Sequence, residues 1–208
     1  MQPKTGLDEI LERLQTAERE LQQEVDRLLA EKREQFHYQL RRGKVVFERE
    51  VRRWQRQYRT GVRHYLYQTP LLFILSAPVI YGMVIPLLIL DLSFTLYQHI
   101  CFRIYDIPRV RRADYLVIDR QHLAYLNIIE KLNCVYCGYG NGLIEYVREI
   151  SARTEQYWCP IKHAIRTLDP HVRSQQFFHY GDAEAYRQGL EALRKDWKEQ
   201  TVTETENK

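Results

Sequence analysis

Three cysteines and one histidine carry the most specific chemistry in this chain. They stand as Cys134-x2-Cys137 and Cys159-x3-His163, with 21 residues between the two pairs. Two cysteines separated by two residues, with Gly138 next, form a knuckle whose backbone amides can point at the thiolates. Pro160 is well placed to open a helix, which would set Cys159 and His163 one turn apart. Four ligands of type Cys3His match tetrahedral zinc. Three thiolates also suit iron, as a mononuclear centre or as a cluster with one His ligand. Four protein ligands leave no open position for a substrate, so closed structural zinc is the first expectation and iron the alternative. Buried structural thiols and a redox dithiol stay open as plainer readings. Cys101 lies outside the set and reads as a small buried hydrophobe.

A second, weaker group is His122, Glu130 and Glu149, which could do acid–base work, with Glu155 as a partner for His163. A dinuclear centre would want Glu-x-x-His on a helix, and neither expected helix has it. The sequence holds no Gly-rich phosphate loop, GxSxG, HExxH or dinucleotide fingerprint.

The elements expected to position these groups are helices. Asp119 is a candidate N-cap for a helix marked by Leu123, Leu126, Ile129 and Leu132. Gly138, Gly140 and Gly142 then read as a turn. Leu143, Val147, Ile150 and Thr154 mark a second helix ending near Trp158, and Asp182 caps a last one carrying Tyr186, Leu190, Leu193 and Trp197. Residues 106–200 are thus expected to form a cytoplasmic helical metal-binding domain, and 201–208 a disordered tail.

Upstream lies Leu71–Leu90, twenty residues without a charge, the length of a membrane-spanning helix. Its apolar character fades through Asp91, Ser93 and Thr95 toward Phe102. One straight helix over Leu71–Phe102 would measure about 48 Å, against a hydrocarbon slab of about 30 Å, while two spans need more residues than are present. Pro78 and Pro86 permit a bend. Both flanks are basic: nine Lys or Arg against two Glu over Arg41–His64, and four Arg against two Asp over Cys101–Asp114. Positive residues mark the cytoplasmic side. The expectation for 70–105 is therefore a membrane-inserted bent helix or a re-entrant hairpin, with a single tilted span and a buried core helix as the alternatives. Asp91 should sit at the interface or pair with an arginine of the basic helix.

Residues 44–69 read as a basic amphipathic helix. Phe47, Val51, Trp54, Tyr58, Val62 and Tyr65 trace one face, and Arg49, Arg52, Arg53, Arg56, Arg59 and Arg63 fill the rest. With Trp54 as an aromatic anchor, these arginines suit the headgroup region of an anionic membrane. Residues 1–43 read as a heptad helix. Leu7, Leu14, Leu21 and Leu28 recur every seven residues, with Leu11 and Val25 between them and polar Glu18 and Lys32 in the same seam. Weak self-association through this helix is expected. Met1–Ala30 lacks the apolar core of a secretory signal.

Composition bounds the rest. The chain has 208 residues, 45% of them apolar, and a formal charge of only +4. That excludes a wholly disordered chain, and nucleic acid is not an expected partner. The overall class is all-α.

The run Asp119-Arg120-x-His122, then Asn133-Cys134-x-Tyr136-Cys137-x-Tyr139-x-Asn141-Gly142, then Arg153-Thr154-Glu155-x-Tyr157-Trp158-Cys159-Pro160-Ile161-Lys162-His163-Ala164 resembles a bacterial family of membrane-associated proteins. The likeness runs from about Pro70 to Leu168. It implies a bacterial inner-membrane setting and brings no activity with it. The expected function is a membrane-associated, metal-binding module for a membrane partner at the cytoplasmic face. The alternative is a membrane-interface metalloenzyme, using iron or zinc, that acts on a lipid-soluble or lipid-linked substrate.

Overall fold

The structure is a computed structural model and describes residues 6–41 and 44–197. The tail expected at 201–208 lies outside the described residues. The architecture is all-α, relieved among the described residues by one short hairpin. The chain divides into two units. One holds the residues up to Arg59 together with His122–Tyr125, and the other holds Thr60–Gln121 and the residues from Leu126 onward.

In the first unit α1 spans Gly6–Gln35. Arg27 supports it by pairing with Glu24 and Glu31 one turn to either side, at 2.5 and 2.6 Å. The side chains of Leu7, Leu11 and Glu18 lie outside the described residues, but Leu14, Leu21, Val25 and Leu28 of the seam are exposed. The helix contains the whole heptad run but stops short of the expected residue 43. His37 takes a positive φ of 51°, and the chain turns into β1 (Tyr38–Arg41) and β2 (Lys44–Phe47), paired antiparallel with Tyr38 opposite Phe47. The run Val45-Val46-Phe47 favours a pleated strand, which the reading of 44–69 as one basic helix passed over.

The basic helix is also shorter than expected. α2 covers Arg49–Arg56 and then unwinds, as the amides of Gln57, Tyr58 and Arg59 each donate only three residues back, at 3.3, 3.1 and 3.1 Å. A separate α3, Val62–Gln68, opens the second unit.

The second unit is built on two long helices. α4 (Leu71–Gly82) and α5 (Val84–Tyr97) are joined through Met83, whose φ of −64° and ψ of −12° are helical. Gln98–Phe102 continues as a π-helical turn, so Leu71–Phe102 forms one helical path of 32 residues. Pro86 lacks the N–H that would bond the Gly82 carbonyl, and the joint sits there. Leu71–Phe102 does not double back on itself as a re-entrant hairpin would.

The second long helix, α6, runs unbroken over Ile128–Trp158. This corrects the expected pair of helices with a glycine turn between them. An Asn-x-x-Glu capping box starts it. Asn127 Oδ1 accepts from the amides of Ile129 and Glu130 at 2.9 and 3.0 Å, while Glu130 Oε2 accepts from the Asn127 amide at 2.8 Å. Asp119 is therefore not the cap.

The glycines serve close approach instead of a turn. A Cβ on Gly142 would lie 2.6 Å from the Tyr115 carbonyl oxygen, and one on Gly138 would lie 3.3 Å from that of Val117. Four apart on one face, they admit the backbone of the segment after the apolar helix. Contacts along the other side of α6 climb both helices in the same direction. Tyr136 Oη donates to the Ile80 carbonyl at 2.8 Å, Leu87 lies against Gly140, and Tyr97 meets Thr154 at 3.0 Å. The apolar helix and α6 are parallel neighbours.

Phe102, Ile107, Val110, Leu143, Tyr146 and Ile150 form the buried core beneath them, packed by Leu87, Leu90 and Phe94. Gln98 is buried here too. It donates to Tyr146 Oη and accepts from the Val110 amide at 3.0 Å, which ties the π turn to the strap passing over α6. Beyond α6, Ile161 and Phe178 form a parallel bridge, and no helix opens at Pro160. α7, Ala183–Lys195, is capped by Asp182 as expected.

Gly142→Ala should lower stability by about 1–3 kcal/mol, because the new methyl group overpacks against a backbone oxygen. Gly140→Ala, whose Cβ would meet only a Leu87 methyl at 3.5 Å, should gain up to about 1 kcal/mol of helix propensity. Thermal unfolding of the two variants measures the contrast. Equal stability would mean that the strap does not press on Gly142.

Candidate functional site

The long helix decides where the expected ligands go. Cys134 and Cys137 lie one turn apart on the N-terminal half of α6, with Cys137 exposed. Cys159 is exposed just past its other end. About 31 Å of helix separates Cys137 from Trp158 at 1.5 Å per residue. His163 is exposed in the segment after the Ile161 bridge, where residues four apart do not stack as on a helix. The four residues do not converge within one chain. Among the described residues, no three His, Cys, Asp or Glu side chains gather as a metal site would require.

Of the acid–base candidates, His122 is exposed at the end of a single 3-10 turn and falls in the first unit. Glu130 is committed to the capping box. Glu149 lies about 28 Å farther along α6 and neutralises two arginines. Its Oε1 accepts from Arg153 Nε at 2.8 Å and from Arg173 at 2.9 and 2.6 Å. Arg173 also donates to Gln156, whose amide caps the carbonyls of Leu193 and Asp196 at the end of α7. Arg153 reaches the Pro108 carbonyl at 2.7 Å. Both guanidiniums are buried, so this network is a structural clasp joining α6, the strap and α7.

Asp91, the charge within the apolar helix, pairs with Arg112 at 2.6 Å and not with the basic helix. Tyr139 donates to it at 3.0 Å. Burial, then the bond to the Asp91 carboxylate, push the Tyr139 phenol above its ordinary range.

What the fold does gather is an apolar surface and a groove. On α5 and the π turn that continues it, Ile85, Ile89, Leu92, Leu96 and Ile100 fall at helical spacing and are all exposed, opposite the side that packs on α6. On α4, Leu71, Leu72, Phe73, Leu75 and Val79 are exposed around the helix. Beside this surface, α5 and the C-terminal half of α6 leave an open cavity of about 540 Å³ lined by Ser93, Phe94, Tyr97, Ser151, Glu155 and Trp158. Tyr97 Oη donates to Thr154 Oγ1, which donates on to the Ile150 carbonyl at 2.8 Å. Glu155 Oε2 accepts from His171 Nε2 at 2.8 Å, so its partner is His171 and not the expected His163. His171 Nδ1 is buried against Phe177 without a partner. Sequence reasoning missed this site because its walls come from positions 58 residues apart, and neither Phe94-x-x-Tyr97 nor the Glu155–His171 pairing carries a local signature.

In the first unit, Arg49, Arg52, Arg53 and Arg56 share one exposed face of α2, opposite the buried Gln55, whose Oε1 accepts from the Ala124 amide at 3.2 Å. Trp54 is exposed and packs edge-on against Tyr58 at 5.0 Å. Arg59 and Arg63 are exposed beyond the break in the helix. Comparison with protein-family models, with curated proteins and with solved structures finds no match to this chain.

Glu149→Gln should cost about 3 kcal/mol, because it strands two buried guanidiniums without a counter-charge. Thermal unfolding checks this. A variant as stable as the parent would deny the clasp its role.

Proposed function

We propose that this protein is a monotopic membrane module. The apolar helix Leu71–Phe102 lies within one leaflet, with its outward face in acyl chains and α6 stacked on its inner face toward water. The carrying observation is the exposed stripe Ile85, Ile89, Leu92, Leu96 and Ile100 on a helix long and apolar enough to enter a bilayer. Isolated exposed leucines need no explanation, but a continuous apolar face of this length does.

Three further points support lying flat over crossing. A helical path of about 48 Å exceeds the hydrocarbon slab. Only Leu71–Val79, about 14 Å, precedes the first hydrogen bond to α6 at Ile80, and a full crossing would drag Glu130 and Lys131 into hydrocarbon. Both flanks are basic, which suits two ends on one side. Resemblance to bacterial membrane-associated proteins favours the cytoplasmic face of the inner membrane.

In this reading the protein is a binding or scaffold module. The arginine face of α2 and its Trp54 meet anionic headgroups, and the exposed seam of α1 joins a second copy. Zinc or iron held by the thiols would be shared between copies, since one chain offers only Cys134 and Cys137 a single turn apart.

Alkaline extraction of cell membranes should leave the full chain in the pellet. Replacing Ile85, Ile89 and Leu92 together by Gln should move most of it to the soluble fraction while leaving thermal stability within about 1 kcal/mol, because none of the three packs on α6. Release of the unaltered chain by alkali would overturn the membrane reading.

A further inference from the structure

We infer that the groove between α5 and α6 binds a single apolar chain ending in a hydroxyl head, taken laterally from the membrane. The inference rests on the membrane reading for the source of the ligand but not for the chemistry of binding. Volume and lining fit: about 540 Å³, walled by Phe94, Tyr97 and Trp158, with few polar groups. Access fits as well, because Ser93 on the rim follows Leu92 and sits one turn from Leu96, both on the exposed apolar stripe. A chain could slide from acyl surroundings into the groove without crossing water.

The polar groups decide the head. Glu155 lines the groove and spends one oxygen, Oε2, on His171. Its other carboxylate oxygen is left to accept. The hydroxyls of Ser93 and Ser151 hold no hydrogen-bond partner among the described residues and can each donate or accept. Tyr97 and Thr154 spend their hydrogens on one another and on the Ile150 carbonyl. The groove therefore offers two hydroxyls, a free carboxylate oxygen and one negative charge. A hydroxyl donates to these acceptors, whereas a fatty carboxylate would set a like charge beside Glu155. Neither the Cys134–Cys137 pair nor the Glu149 clasp enters this site.

The test uses the full chain in detergent with Trp54→Phe and Trp197→Phe, so that Trp158 is the remaining fluorophore. The probes are 8-bromooctan-1-ol and 8-bromooctanoate at pH 8. The alcohol should quench Trp158 saturably, and the carboxylate should bind about tenfold more weakly or worse, the like charge being the difference. Glu155→Gln should bring the two probes to similar affinity. Ser151→Phe, which fills the groove from α6, should abolish saturable quenching, and Ser93→Phe should do the same from α5 if the first variant does not fold. Quenching that rises linearly, or that survives both fillings, means mere partition and overturns the proposal. Equal binding of the two probes by the unaltered Glu155 overturns the hydroxyl preference. Sedimentation with vesicles of anionic lipid separates the two readings: saturable quenching without sedimentation sinks only the membrane reading, and sedimentation without saturable quenching sinks only the groove.

Discussion

An apolar helix covered on one side only is the constraint from which the second unit follows. Leu87, Leu90 and Phe94 find partners on α6, while Ile85, Ile89, Leu92 and Leu96 find none. No rotation of the helix hides both sets, because its apolar residues run nearly all the way round from Leu71 to Leu90. Among the described residues the outward face of this helix is left uncovered. Burial contributes about 25 cal/mol per Å² of apolar surface, so a stripe this long is a large driving force toward lipid.

The polar parts of the second unit hold α6 against the covered side. The strap of residues 103–118 crosses α6 at Gly138 and Gly142, where a side chain at Gly142 would collide with its backbone and one at Gly138 would crowd it. Gln98 in the π turn bonds the strap at Val110, and the Asp91–Arg112 pair bonds it again. Gln98 and Phe102, four residues apart across the π turn, both face inward. Lower down, Glu149 draws Arg153 and Arg173 together and so fixes the segment that carries His171 beside Glu155. The groove inherits its shape from these clasps.

Part of this was legible in the sequence. The all-α class, the apolar segment, the arginine face of α2 and the Asp182 cap follow from periodicity and capping chemistry, which are local. The metal constellation did not converge, because three glycines in five residues imply a turn by local propensity, and tertiary packing overrode it. The signal that would have corrected this is Asn127-x-x-Glu130, a capping box that starts a helix eight residues after Asp119. The hairpin at Tyr38–Phe47 is hidden because residues 1–43 and 44–69 each read as one helix, so the boundary between them falls inside it. The Glu155–His171 pair was illegible for a different reason: it depends on how the segment after α6 folds back, and nothing local encodes that.

The depth of the apolar helix tests the account most directly. Spin labels placed singly at Leu72, Ile85, Leu92 and Ile100, in a chain whose four cysteines are replaced by serine, report immersion by power saturation in vesicles. The account predicts that Ile85, Leu92 and Ile100 share one shallow depth within a single leaflet, with Leu72 no farther than the bilayer centre. A steady progression from one interface at Leu72, through the centre, to the opposite interface near Leu92 would contradict it and establish a crossing.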